Sequence, residues 1–251
     1  MNRAPMKQAS KPGRSPRFGG RSRLRATLVA CAWLGLLASP PLRAQPDSVA
    51  ATLHNLSVSG PGTIRALNES EICKFCHIPH NAIVPQPLWG HVLSRIERYE
   101  VPRLRGSRGV SQPAPQPDGA SRLCLSCHDG TVALGEIAGQ ARPIAMAGAQ
   151  RLAPGRAGFL GTDLSGSHPI SFPLDDTLAA GDPDDTEHDL GYVPLAVVRS
   201  DPRVRLDAQG KMQCTTCHDP HADRYYRPGR VPHFWVAPTI DEVCLTCHAL
   251  R

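Results

Sequence analysis

The sequence predicts mostly irregular coil with short α-helices, little or no sheet, packed around covalently held groups. Three observations carry this expectation. The 251 residues include 25 prolines and 22 glycines, and only 5% are aromatic, so a core built from side chains alone would be thin. The chain has nine cysteines, and eight of them fall in four copies of one pentapeptide, C-x-x-C-H. Those copies use up every cysteine beyond residue 31, so no disulfide framework is left to staple so small a core.

Residues 1–25 carry eight basic side chains and no acid. Leu24 to Leu37 follow as an apolar run, and then Ser39-Pro40-Pro41-Leu42-Arg43-Ala44. This order reads as a signal peptide over 1–44, cleaved after Ala44. The apolar run is shorter than the roughly 20 residues that span a bilayer, so no transmembrane helix is expected to be retained. Without an adjacent Arg-Arg pair the expected route is Sec, to the periplasm or the extracellular space. Leu28-Val29-Ala30-Cys31 resembles a lipoprotein box, but Arg25 stands close before it and cleavage there would leave an apolar tail. The formal charge of +6 misleads, because nine of the 28 basic residues precede the cleavage site and all 22 acids follow it. The remainder stands at −3, which leaves no basic footprint for nucleic acid.

The four pentapeptides are Cys73-Lys-Phe-Cys76-His77, Cys124-Leu-Ser-Cys127-His128, Cys214-Thr-Thr-Cys217-His218 and Cys244-Leu-Thr-Cys247-His248. A C-x-x-C pair alone could be half a zinc site or a thioredoxin-like redox pair. Zinc does not dictate the residue after the pair, and a thioredoxin-like motif needs a βαβ context that surrounds none of the copies. His after every pair is the attachment site of c-type haem. The two thiols add across the vinyl groups and the imidazole takes the iron from one face. Four copies predict four haem c, with His77, His128, His218 and His248 as the proximal ligands. Cys31 leaves with the signal peptide, so the covalent haems become the staples. The haem-free chain is then expected not to fold.

The copies form repeated pairs. CKFCHIPH (73–80) and CTTCHDPH (214–221) both fit C-x-x-C-H-x-P-H, while LCLSCH (123–128) and VCLTCH (243–248) match each other. Residues 45–251 therefore read as one tetrahaem domain of two doubled units, about 54–140 and 165–251. Val101 to Gly119 looks like an exposed linker. Its Arg103, Arg105 and Arg108 would serve to dock an acidic redox partner, with ordinary solvation as the simpler reading. Thr131–Ile137 is the best candidate for a helix between the pairs. The acidic run Asp182–Asp189 lacks EF-hand spacing and reads as a solvated loop before it reads as a calcium site.

Each iron needs a second axial ligand. Seven of the 11 histidines lie outside the pentapeptides and four are required, which favours bis-histidine ligation. Beyond the cleavage site the only methionines are Met146 and Met212, so Met cannot serve all four haems. His80 and His221 are the strongest distal candidates. Each follows a proximal His by three residues across a proline, on the same side of that porphyrin, so each is expected to reach a different haem. His168, in Ser167-His168-Pro169, and His54, near the new N-terminus, come next, then His91. His188 lies in the acidic run and reads as solvated. His233, before Phe234-Trp235, is undecided.

The CHxPH elements (His77–His80, His218–His221), LCLSCHDGT (Leu123–Thr131) and SHPISF (Ser167–Phe172) resemble the doubled CxxCH multihaem cytochromes c of bacteria. More narrowly, HNLSVSGPG (His54–Gly62) followed by CKFCHIPHNA resembles the tetrahaem cytochromes that polymerise into extracellular filaments. This resemblance implies haems stacked in a continuous chain, copies of the protein as partners, and a histidine of one subunit ligating a haem of the next. His54 would be that bridging ligand. The expected function is electron transfer with redox partner proteins, not catalysis. The alternatives are a multihaem reductase or its periplasmic electron-donor subunit, which would need an open axial position, and a docking subunit of a membrane redox complex.

Overall fold

The structure, a computed structural model, describes residues 47–84, 87–105, 111–176 and 190–250. Residues 1–44, expected to be a signal peptide and holding Cys31, together with Arg108 and the acidic run with His188, lie outside the described residues. Among the described residues α-helix occurs as four short pieces: α1 (Gly119–His128), α2 (Leu195–Ser200), α3 (Cys214–Cys217) and α4 (Ile240–Cys247). Two 3₁₀ turns, Val49–Ala51 and Ile72–Phe75, precede them. Strands occur as three antiparallel two-stranded ladders. They pair β1 (Arg65–Ala66) with β4 (Met146–Ala147), β2 (Arg103–Arg105) with β3 (Ser111–Pro113), and β5 (Leu190–Tyr192) with β6 (His248–Leu250). Turns, bends and irregular segments make up the rest of the described chain.

Each pentapeptide sits on a helical turn, and its spacing explains why. Residues i, i+3 and i+4 share one face of a helix, so one turn presents both thiols and the imidazole together. The first copy lies on the Ile72–Phe75 turn, the second closes α1, the third forms α3, and the fourth closes α4. The short helices are fixed by their caps. Thr239 accepts from Glu242 N at 3.3 Å at the start of α4, with Asp241 and Glu242 in the first turn. Gln213 and Thr216 form a reciprocal cap on α3.

Thr131–Ile137 is not a helix. Gly130 turns the chain at φ +75°, and the backbone then bonds sideways, Leu134 N to Gln150 O and Ile144 N to Gly135 O, both at 2.8 Å. At Gly135 a Cβ would lie 2.1 Å from Ile144 O, an approach that only glycine permits. The apolar positions that suggested a helix, Leu134 and Ile137, are buried in the first core cluster instead. Residues 101–119 likewise hold the exposed β2–β3 ladder, with Arg103 Nε donating to Ser111 Oγ at 2.8 Å.

The buried apolar residues form four small clusters. One gathers Phe75, Ile78, Leu134, Ile137, Ile144 and Met146, with Cys76 and Cys127 against it. A second joins Phe172, Leu174, Leu195, Val198 and Met212. A third joins Val204, Ala237 and Val243, with Cys217, Trp235 and Cys247 against it. Tyr99, Leu125 and Leu164 make the fourth. Both methionines are therefore core residues. Segments distant in sequence meet through polar groups as well. Lys211 is paired with Asp118, and Ser121 Oγ donates to Gln213 Oε1 at 2.6 Å. Among the described residues no helix is long and apolar enough to cross a membrane.

Candidate metal centres

Three of the four pentapeptide histidines are held by their Nδ1 atoms. His77 Nδ1 donates to Pro87 O at 2.7 Å, His128 Nδ1 to Gly158 O at 2.6 Å, and His218 Nδ1 to His233 O at 3.0 Å. Two histidines outside the motifs do the same, His54 to Pro220 O at 2.9 Å and His168 to Pro169 O at 2.8 Å. A carbonyl only accepts, so each Nδ1 carries the proton and each Nε2 keeps its lone pair for a metal. This is the outer-shell bond that orients metal-binding imidazoles. Burial lowers the pKa of His54 to about 4 and lowers that of His218 as well, which keeps both in the neutral, ligating form.

Three motif histidines face a second imidazole. The ring centres are 6.0 Å apart for His128 and His54, 6.1 Å for His77 and His221, and 6.3 Å for His248 and His168. Two imidazoles bound through Nε2 to one metal, at about 2 Å each, have ring centres about 6.3 Å apart. The spacings fit an iron between each pair. The His54–His128 and His168–His248 planes are also inclined almost equally, at 69° and 70°, in keeping with their equivalent places in the two repeats.

The candidates differ in placement. His221 is exposed, with Nδ1 3.5 Å from Asp219 Oδ1. His80 and His168 are also exposed. His54 is turned into its own chain, stacked at 4.1 Å on Phe234. That position is at odds with the bridging role implied by the resemblance, because the ring already faces His128 of the same chain. His91 does not sit as a distal ligand. It is fully buried, with Nδ1 3.0 Å from Val92 O and Nε2 3.0 Å from Ala133 O, so both ring nitrogens lie against backbone carbonyls. His233 holds Asp223 Oδ2 at 2.6 Å through Nδ1 and stacks on Tyr226 at 3.5 Å.

Sequence reasoning missed a device that occurs twice. Pro87 and His233, which accept the Nδ1–H of His77 and His218, are each followed by a residue with positive φ, Leu88 at 62° and Phe234 at 63°. Each of these is followed by a tryptophan that bridges back to the motif histidine, Trp89 to His77 and Trp235 to His218. The rings meet edge to face at 6.0 Å and 88°, and at 5.2 Å and 79°. The left-handed residue aims the preceding carbonyl at the imidazole while the tryptophan covers the ring edge. A Trp after each CHxPH element was the signal that could have revealed it.

The eight motif cysteines form no disulfide. Burial pushes the Cys76 thiol up to about 11 and that of Cys217 up to about 12. The Cys124 and Cys214 thiols hydrogen-bond to each other, which raises Cys124 and lowers Cys214. Among the described residues no three His, Cys, Asp or Glu side chains are grouped to hold a bare metal ion, so the sulfurs are not arranged as a zinc site. They lie on short turns beside an imidazole, and at three of the four motifs a second imidazole lies 6.0–6.3 Å away between ring centres, a spacing that fits a flat macrocycle bonded at its edge.

Residues 208–250, which hold the third and fourth pentapeptides, match the family model described as the doubled CXXCH motif. This supports a multihaem cytochrome c-type family, covalent binding of haem c, and electron transfer as the general function. No curated protein matches the chain.

Proposed function

We propose that the chain is an exported electron carrier with four covalently bound, bis-histidine, low-spin c-type haems. The observation that carries this reading is the facing of three motif histidines by a second imidazole at 6.0–6.3 Å. The axial pairs are His77 with His221, His128 with His54, and His248 with His168. The two CHxPH elements exchange their second histidines, so His218 takes His80. Haem iron supplies a one-electron redox couple when bound. The protein would hold each ring by two thioethers, orients His54, His77, His128, His168 and His218 through their Nδ1 bonds, and would close both axial positions, which suits electron transfer over substrate binding.

The test begins with the holoprotein. Four haems per chain, a wholly low-spin spectrum and no carbon monoxide binding are expected. Replacing His221 by Ala is expected to open one iron, giving one high-spin haem and one carbon monoxide site per chain. Stoichiometric carbon monoxide binding by the unaltered protein would instead favour the reductase reading. Electron microscopy of the holoprotein decides whether it assembles into filaments, discrete monomers alone counting against it, and unchanged filaments in His54→Ala would refute a bridging role for that residue.

A further inference from the structure

One of the places where the two repeats meet is a buried amide. The Gln213 side chain is fully buried and uses both of its ends. Its Oε1 accepts from Ser121 Oγ at 2.6 Å, Ser121 N at 3.2 Å and Ser171 Oγ at 3.4 Å. Its Nε2 donates to Asp207 Oδ2 at 2.9 Å and Asp118 Oδ1 at 3.1 Å. Ser121 Oγ in turn accepts from Cys214 N at 3.0 Å. A Cβ at Gly119 would lie 2.9 Å from Gln213 Nε2, so the start of α1 is shaped to admit the amide.

The place of this lock matters more than its strength. Gln213 immediately precedes the attachment residue Cys214. Ser121 lies one turn before the attachment residue Cys124, on the same face of α1. The lock therefore fixes the first residue of the third pentapeptide against the helix that ends in the second, where the Cys124 and Cys214 thiols hydrogen-bond to each other. Two further pairs of motif sulfurs lie on apolar surface, Cys76 and Cys127 on one cluster, Cys217 and Cys247 on another. The Cys124–Cys214 junction brings an attachment residue of one repeat against one of the other, beside the crossings at His54–Pro220 and His77–His221, and a directional polar network holds it.

We propose that Gln213 is a positioning residue that sets the spacing of the Cys124 and Cys214 attachment points, and with it the electronic coupling between the two repeats. The proposal rests on the four-haem reading above. It is tested in the holoprotein with Gln213→Leu, and with Ser121→Ala as a second variant that cuts the same lock from the other side. Tyr99→Phe, which removes the buried 2.7 Å bond from Tyr99 to Asp129 Oδ2 away from the junction, is the control. Haem content and the low-spin spectrum are expected to stay as in the unaltered protein for all three. The exciton-coupled Soret circular dichroism is expected to weaken, and electron equilibration after partial photoreduction to slow, in Gln213→Leu and Ser121→Ala but not in Tyr99→Phe. The double variant should be no worse than Gln213→Leu alone. Unchanged dichroism and equilibration in both junction variants would overturn the proposal, as would loss of haem from both, which would make the lock a folding element only. Fewer than four haems, or a high-spin haem, in the unaltered protein would overturn the four-haem reading itself before any variant is compared.

Discussion

His54 illustrates how burial prepares a ligand. Its imidazole titrates near 6.5 in an open chain and at about 4 here, because desolvation outweighs the Pro220 hydrogen bond that pulls the other way. Between those values the unfolded chain binds a proton that the folded one refuses. The neutral ring therefore contributes stability that is full above about pH 6.5 and is lost as pH falls toward 4, about 3 kcal/mol over the interval. In the holoprotein iron on Nε2 would hold the same ring neutral, so thermal unfolding from neutral pH downward should show stability falling in the same direction, and His54→Met, which keeps an axial donor without the titration, should flatten this part of the curve. Residue identities of this kind were partly legible. The four pentapeptides declare their own histidines, and the surplus of others nominated His54, His168 and His221. Which ring opposes which was not legible, because long crossings of the chain decide it. His91 was nominated after them, with no sign in its neighbours that two carbonyls would lie against its nitrogens.

At the scale of the element, strain and glycine mark the segments that carry the accepting carbonyls. Leu88 holds a left-handed conformation at φ 62° beside the Pro87 carbonyl. Gly158 holds φ +82° and offers its own carbonyl to His128, and a Cβ there would lie 3.2 Å from the His128 ring. Two substitutions should move stability in opposite directions. Leu88→Gly relieves an unfavourable conformation and is expected to be neutral or to stabilise by up to about 1 kcal/mol, whereas Gly158→Ala adds a strained Cβ and is expected to cost about 1–2 kcal/mol. Chemical denaturation of the two holoproteins checks both signs. The short helices were legible because the C-x-x-C-H spacing is itself one helical turn. The Thr131–Ile137 segment was misread because its apolar spacing suits a helix as well as it suits a chain that dips twice into the core, and Gly135 permits the second. The paired Trp device went unread because its two copies lie at different distances from their histidines.

For the whole molecule, the described core is four small clusters with attachment sulfurs packed against three of them as outer members. A chain assembled in this way depends on groups bonded to those sulfurs for most of its buried apolar mass. Expressed without haem attachment, it is expected to give no cooperative thermal transition and a circular dichroism spectrum without native helix. Composition made this legible, since few aromatics and many prolines cannot close a core of this length. The interleaving of the repeats was not legible, because it runs through single polar contacts such as Ser121 with Gln213 that leave no periodic trace. That interleaving also bears on how the molecule comes into being. The Nδ1 bond of His54 ends on Pro220, 166 residues later, and the ring facing His77 is that of His221. A chain made from its N-terminus presents His77 long before its counterpart exists. On the four-haem reading the earliest proximal histidine thus waits longest for its partner, and a product truncated before His221 is expected to carry an exposed, reactive iron there.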